Sequence, residues 1–302
     1  MRERFAHARR RAFWNGLRAW VTGRPNRLLS WDEARDKLGV RGRLDLGLQT
    51  VPVDRVVGSV GRYEDFDRAF MPLRDNVQER WLSIAGGFYD GAGLPPVQLV
   101  KAGEVYFVVD GNHRVSVARE RGIASLEARV VEVETRVPLT NHLDADELEV
   151  KGEYVRFLEC ARLDELRPDQ RIEFTAGGGY ERLREHIAVH RYRLGQDRGR
   201  EVPPDEAVCD WYDHVYLPLV RLIRESGILA EFGQRTEADL YLWVVDHQHY
   251  LREQCGPGVS AERAAWHLAA RHPERLAKRL VGAVREWLSG GACEQVIDQE
   301  AE

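Results

Sequence analysis

Between Leu94 and Glu134 the hydrophobic pattern switches from strand to helix and back, and no other stretch narrows the fold as far. LPPVQLVKAGEVYFVVDG places β-branched and aromatic runs on either side of Lys101-Ala102-Gly103-Glu104, the pattern of a hairpin. HRVSVARERG follows as a short helix closed by Gly122, and ASLEARVVEVE is a further strand. Upstream, LQTVPVDRVVGSV (48–60) reads as one or two short strands ending in glycine. Residues 74–90 read as a helix that turns Val77, Trp81, Ile84 and Ala85 inward. Residues 46–137 are therefore expected to form a small α+β domain with a mixed sheet.

Both flanks read as helical. Residues 1–45 make a basic arm, in which Arg2, Arg4, Arg9, Arg10, Arg11, Arg18, Arg24 and Arg27 face only Glu3 within the first 27 positions. Phe5, Phe13, Trp14, Leu17 and Trp20 fall roughly on one side of its helix, and Gly23-Arg24-Pro25-Asn26 breaks it. SWDEARDKLG then starts a second helix, with Ser30 as N-cap, Glu33 three residues on and Gly39 past the end. Two readings of the arm stay open. Either its aromatic side docks on the body while the arginines stay solvated, or the arginines meet a nucleic acid or an anionic membrane. Residues 138–302 are expected to form a larger all-α domain, with helices over 143–149, 153–165, 178–194, 210–227, 236–254, 260–271 and 273–289. WYDHVYLPLVRLI and ADLYLWVVDHQHYL supply its aromatic core, and RGREVPPDEA (198–207) is a linker within it.

Bulk properties exclude several classes. With 43% hydrophobic and 31% charged residues the chain is globular rather than disordered. A net charge of -5 rules out nucleic-acid binding by overall charge but not by a local basic face. The cysteines at 160, 209, 255 and 293 contain no C-x-x-C pair, which argues against a zinc ribbon and a disulfide framework and points to a reducing cytoplasm. No apolar window reaches the roughly eighteen residues of a membrane span, and the N-terminus lacks the apolar region of a secretory signal.

The chemistry concentrates where the second hairpin strand runs into Asp110-Gly111-Asn112-His113-Arg114. Gly111 permits a sharp turn and a close approach of backbone to ligand. The following residues open a helix whose first N–H groups lack intrahelical acceptors and whose dipole favours an anion. His113 and Arg114 add side-chain donors, and an arginine can hold a phosphate bidentately. The expectation is a phosphate or carboxylate cradle. The alternative is a turn in which Asp110 caps the helix and Arg114 pairs with a neighbouring acid.

The run PPVQLVKAGEVYFVVDGNHRVSVARERGIASLEARVVE, with VPVDRVVGSVGR before it, resembles the ParB/sulfiredoxin superfamily over roughly residues 48–135. The resemblance implies a ParB N-terminal-like domain that binds a nucleotide or another phosphate-bearing small molecule. ParB-type switches carry Gly-Glu-Arg-Arg at this turn. Gly111 and Arg114 match its ends, while Asn112 and His113 depart, which weighs against hydrolysis of the ParB type. Sulfiredoxins carry Gly-Cys-His-Arg, and Asn112 stands where their cysteine acts, against a thiol mechanism. The turn is most similar to Asp-Gly-His-His-Arg of the superfamily's free-serine kinases, matched by Asp110, Gly111, His113 and Arg114. That likeness implies ATP or CTP with Mg2+, and phosphoryl transfer or nucleotide hydrolysis as the reaction class.

The kinases place an acidic base after the first strand, where this chain has Gly58-Ser59-Val60-Gly61 and reaches acids only at Glu64, Asp65 and Asp67. In SVGRYEDFDR, Gly58 and Gly61 make the loop adaptable, Arg62 can meet a phosphate, and Glu64 or Asp65 can hold magnesium or accept a proton. The alternative is a helix start with surface charges over Tyr63 and Phe66. Arg74 is a weaker anion contact. With His113, Glu64 and Asp65 are the catalytic candidates. Asp110, Gly111, Asn112, His113, Arg114 and Arg62 are the phosphate-binding ones, and no metal site is assigned.

In the second half, His186 and His190 share a helical face but lack a third ligand and an activating acid. The glycines before Tyr180 read as a flexible turn. Thr236 and Asp239 form a helix-start box, and His247 and His249 diverge on a helix. Thr236-Glu237-Ala238-Asp239 and His247 with Tyr250-Leu251 resemble elements of an uncharacterised bacterial helical domain, which names no activity. A non-enzymatic alternative remains for the whole chain: a DNA-associated partition or regulatory factor that touches phosphates through residues 1–27 and a helix-turn-helix-like pair over 260–289. The reading also admits a homodimer.

Overall fold

The structure, a computed structural model, describes residues 1–23, 25–89, 94–140, 143–256, 258–260, 263–265 and 267. It divides into two compact units, Met1–Val155 and Arg156–Glu302. The fold is mixed α and β, with a six-stranded mixed sheet and helical regions on both sides of it in sequence.

The first unit holds α1 (Arg2–Thr22), β1 (Leu29–Ser30), α2 (Trp31–Leu38), β2 (Arg41–Pro52), β3 (Val56–Ser59), α3 (Gln78–Tyr89), β4 (Val97–Ala102), β5 (Val105–Asp110), α4 (Asn112–Arg121) and β6 (Ser125–Glu134). The sheet order is β1-β3-β5-β4-β6-β2. β1, β3 and β5 run parallel, β4 returns antiparallel to β5, β4 and β6 are parallel, and β2 closes the far edge antiparallel to β6. The hairpin is β4–β5, turned at Gly103 with φ 58°. Val97, Leu99, Val108, Ala128 and Val130 bury their side chains in one cluster with Phe66, Phe70, Val115 and Ala118.

Two strands depart from the sequence reading. β1 is a two-residue edge inside a stretch read as helical, and β2 begins at Arg41 rather than near 48. β2 is mostly exposed, and left-handed Gly42 and Gly47 coincide with its register shifts, so its apolar alternation is weak.

α1 also docks by a different face. Phe5, Ala8 and Ala12 pack against Met71, Val77, Trp81, Ala85 and Val117, with Phe5 edge-on to Trp81 at 5.6 Å. Phe13, Trp14, Leu17 and Trp20, which dock in one of the two readings, are 67%, 63%, 41% and 81% exposed. The alanines decide this, because small side chains let α1 lie close over α3. In α2, Ser30 is the N-cap and Gly39 closes the helix. Ser30 makes no side-chain cap bond, and Glu33 turns instead to Lys37 at 3.0 Å and Arg27 at 3.4 Å.

The division between the units falls within α5 (Ala145–Ala161), one helix where two were expected. Beyond it come α6 (Leu163–Leu166), α7 (Gly179–Arg198), α8 (Pro204–Trp211), α9 (Leu217–Ser226) and α10 (Glu237–Cys255). A turn of π-helix, Tyr212–Tyr216, joins α8 to α9. Trp211, Tyr216 and Tyr241 form the aromatic core, with Tyr216 and Tyr241 5.0 Å apart. The expected box opens α10: Thr236 accepts from Asp239 N, and Thr236 N donates to Asp239 Oδ2 at 2.9 Å.

The helical pair expected over 260–289 lies outside the described residues, apart from 260 and helical 263–265 and 267. Among the described residues Cys160 and Cys209 are free thiols. Among the described residues no helix is long and apolar enough to cross a membrane.

Candidate functional site

Because β3 and β5 are parallel neighbours, their carboxyl ends lie side by side, and the segments that leave them meet at one edge of the sheet. From β5 the chain enters α4 through Gly111, at φ 112°. A Cβ at Gly111 would stand 2.7 Å from Val97 Cγ1 and 3.0 Å from Arg114 Nε. Glycine is thus required there by the protein's own packing, not only by a ligand's approach. From β3 the chain enters the loop that carries Arg62, Glu64 and Asp65. Ser59 Oγ donates to Val108 O at 3.2 Å and lies 3.4 Å from the N–H groups of Gly61 and Arg62, tying the loop's start to β5. Gly58 is not a source of adaptability. It is buried within β3, and a Cβ there would lie 2.4 Å from Leu29 O and 2.6 Å from the Phe107 ring.

The far side of the loop is pinned by Asp67. Its fully buried carboxylate accepts from Asn15 Nδ2 at 2.8 Å and Met71 N at 2.7 Å, and burial raises its pKa above the ordinary carboxylate value. Phe66 is thereby held edge-on to His113 at 5.5 Å.

At the first turn of α4, no side chain caps the helix, and the first intrahelical bond runs from Val115 N to Gly111 O at 3.0 Å. The N–H groups of Asn112, His113 and Arg114 precede that bond. Asn112 and His113 are each only 6% exposed. Asn112 Oδ1 and both ring nitrogens of His113 are sealed from solvent with no hydrogen-bond partner. Burial, reinforced by the charges of Arg62 and Arg80, lowers the pKa of His113 to about 4, against a smaller opposing pull from Asp65. The ring is therefore neutral near neutral pH, with one N–H donor and one acceptor.

Arg114 is engaged within the protein, as in the alternative reading of the turn. Its guanidinium donates to Pro95 O, to Pro96 O at 2.9 Å and to Asp110 Oδ2 at 2.6 Å, and its side chain is 9% exposed. It locks the segment before β4 to the turn, as in the alternative where it pairs with a neighbouring acid. Asp110 makes no cap bond to α4. Of the expected acids, Glu64 pairs with Arg74 at 3.2 Å, and Asp65 lies 3.4 Å from Arg62 and 3.8 Å from Arg74.

The structure thus brings Arg62 and Asp65 within electrostatic reach of His113, and adds Arg80 from α3, which the sequence reading did not single out. Arg80 is exposed and makes no salt bridge among the described residues. Its one signal in the sequence was its place beside Trp81 on the helix over 74–90.

In the second unit, His186 faces Tyr241 Oη at 3.4 Å and His190 faces Asp210 at 2.8 Å. His247 faces His267, and His249 pairs with Glu253. Among the described residues no three His, Cys, Asp or Glu side chains converge on a metal position.

No family model matches the chain, and no curated protein matches it. Among solved structures, a Pnob8-like ParB-N domain aligns at 14% identity over 77% of this chain and 99% of that one, with a TM-score of 0.19, too low to establish a shared fold.

Proposed function

We propose that the first turn of α4 binds a phosphate-bearing small molecule, a nucleotide in the leading case. The observation that carries this is the set of sealed, partnerless polar atoms on Asn112 and His113. Leaving buried polar groups unpaired costs about 1–3 kcal/mol each, a cost that a ligand removes when the two side chains turn outward to meet it. The atoms are of both kinds. The free N–H groups of α4 and the His113 N–H suit phosphate oxygens, while Asn112 Oδ1 and the second His113 nitrogen suit hydroxyl donors such as those of a ribose. Arg62 and Arg80 supply the positive charge that Arg114, engaged within the turn, does not. The resemblance of the turn to that of the superfamily's free-serine kinases points the same way.

Any Mg2+ would enter with the nucleotide and take its ligands mainly from phosphate and water. Asp65 is the acid nearest in effect to His113 and is the candidate to touch that ion or accept a proton.

Calorimetry and thermal shift with ATP, ADP, CTP and GTP test the reading, with and without magnesium. A nucleotide at about a hundredfold its Kd should stabilise the fold by about 2.7 kcal/mol. Arg62→Ala and Arg80→Ala, both at exposed positions, should each weaken binding by about fivefold to tenfold. Failure of every nucleotide to shift the melting temperature, or an unchanged affinity in the double variant, refutes it.

A further inference from the structure

The outward half of α1 carries an apolar strip that nothing in the first unit covers. Phe13, Trp14, Leu17, Trp20 and Val21 are between 41% and 81% exposed. At about 100° per residue they span roughly a third of the helix circumference, opposite the face that Phe5, Ala8 and Ala12 bury. Phe13 and Trp14 support each other edge-on at 5.7 Å. Arg10, Arg11 and Arg18 are exposed along the same stretch, and none makes a salt bridge among the described residues. The only acid in α1 is Glu3, in its first turn.

We propose that this face seats the protein on an anionic lipid surface, independently of the site at α4. Tryptophan, phenylalanine and leucine on one side of a helix, with Arg11 and Arg18 along one border and Arg10 at the strip's N-terminal end, match the two layers of a bilayer interface: acyl chains below, phosphates above. Charge complementarity selects this occupant. A second copy of α1 would set Arg10, Arg11 and Arg18 near their own equivalents with only Glu3 to offset them. Duplex DNA would satisfy the arginines but leave the aromatic strip in water. The strip does not span the bilayer. It lies in the interface, with the docked face of α1 held to the protein.

Co-sedimentation of the full chain tests this, with vesicles of phosphatidylcholine alone and of phosphatidylcholine mixed with phosphatidylglycerol. Binding to the anionic vesicles should be about a hundredfold tighter, as three arginines near a charged surface imply, and should weaken with salt. Trp14→Ser with Trp20→Ser should abolish it without lowering the melting temperature, because both side chains are exposed. Arg10→Glu, Arg11→Glu and Arg18→Glu combined should abolish it too. Three results overturn the proposal: no sedimentation with anionic vesicles at low salt, sedimentation unchanged in the double tryptophan variant, or a concentration-dependent dimer that the same variant dissolves.

Discussion

A fall in pH should weaken the first unit through His113, by an amount that follows from its surroundings. In the unfolded chain an imidazole titrates near its ordinary 6.5, whereas in the fold burial and the charges of Arg62 and Arg80 hold it at about 4. Between those values the unfolded chain binds a proton that the native state refuses, so stability rises with pH across the window. The contribution is complete above about 6.5, is lost as pH falls toward 4, and changes no further below that. A difference of roughly 2.5 units at 1.36 kcal/mol per unit sets a ceiling of about 3 kcal/mol. Arg62 is half exposed and screened by solvent, so about 1–2 kcal/mol is the amount expected. Urea unfolding of the wild type and of His113→Gln, at about pH 7 and about pH 4.5, isolates the effect, because other titrating groups cancel between the two proteins. The wild type should lose about 1–2 kcal/mol more than the variant over that range. Parallel pH profiles, or an NMR titration that places the His113 ring near 6.5, would refute the reasoning.

Three substitutions probe the frame around the site. Gly58→Ala drives a methyl to 2.4 Å from Leu29 O and 2.6 Å from the Phe107 ring, neither of which can move freely, and should cost about 3 kcal/mol in urea unfolding. Asp67→Ala strips acceptors from Asn15 Nδ2 and Met71 N and should cost about 2–3 kcal/mol. Asp67→Asn should cost less, since burial already disfavours the charged carboxylate; equal losses in the two variants would count against that account. Arg114→Ala leaves the Pro95 and Pro96 carbonyls and Asp110 without their donor and should lower stability by about 2–4 kcal/mol. An unchanged melting temperature would show that its bonds do not hold the turn.

Much of the sheet was legible in the sequence. The hairpin, α4 with Gly122 at its end, and β6 each have a strong local pattern: two apolar runs around a glycine turn, then a change of period. The capping box at Thr236 was legible for the same reason, since it joins residues three apart. What escaped depends on residues distant in sequence. β1 has only two residues and exists because Leu29 and Ser30 pair with Gly58 and Ser59. Of the two readings of α1, docking of its aromatic side holds for Phe5 alone, which fits with two alanines against Trp81, while Phe13, Trp14, Leu17 and Trp20 stay exposed. Gly58 and Gly61 looked alike as loop glycines. One is fixed under a backbone oxygen and a ring, and the other has open space around it.

Arg114 shows how a motif residue chosen for its side-chain type finds partners within the protein. A guanidinium next to a helix start favours any nearby oxygen, and in this chain the nearest are two proline carbonyls and the carboxylate of Asp110. Those prolines immediately precede β4, so the arginine closes the hairpin's open end against the turn. Under the proposed function, the work of attracting an external anion falls to cations that the motif does not contain. Arg62 arrives because β3 lies parallel and adjacent to β5, and Arg80 arrives because α3 packs against α4. Strand order therefore governs the charge at this turn more than the five residues that spell it. Under the proposed function, a variant that moved Arg62 away from β5 while leaving Asp110 to Arg114 intact should lose nucleotide affinity in calorimetry and keep its melting temperature.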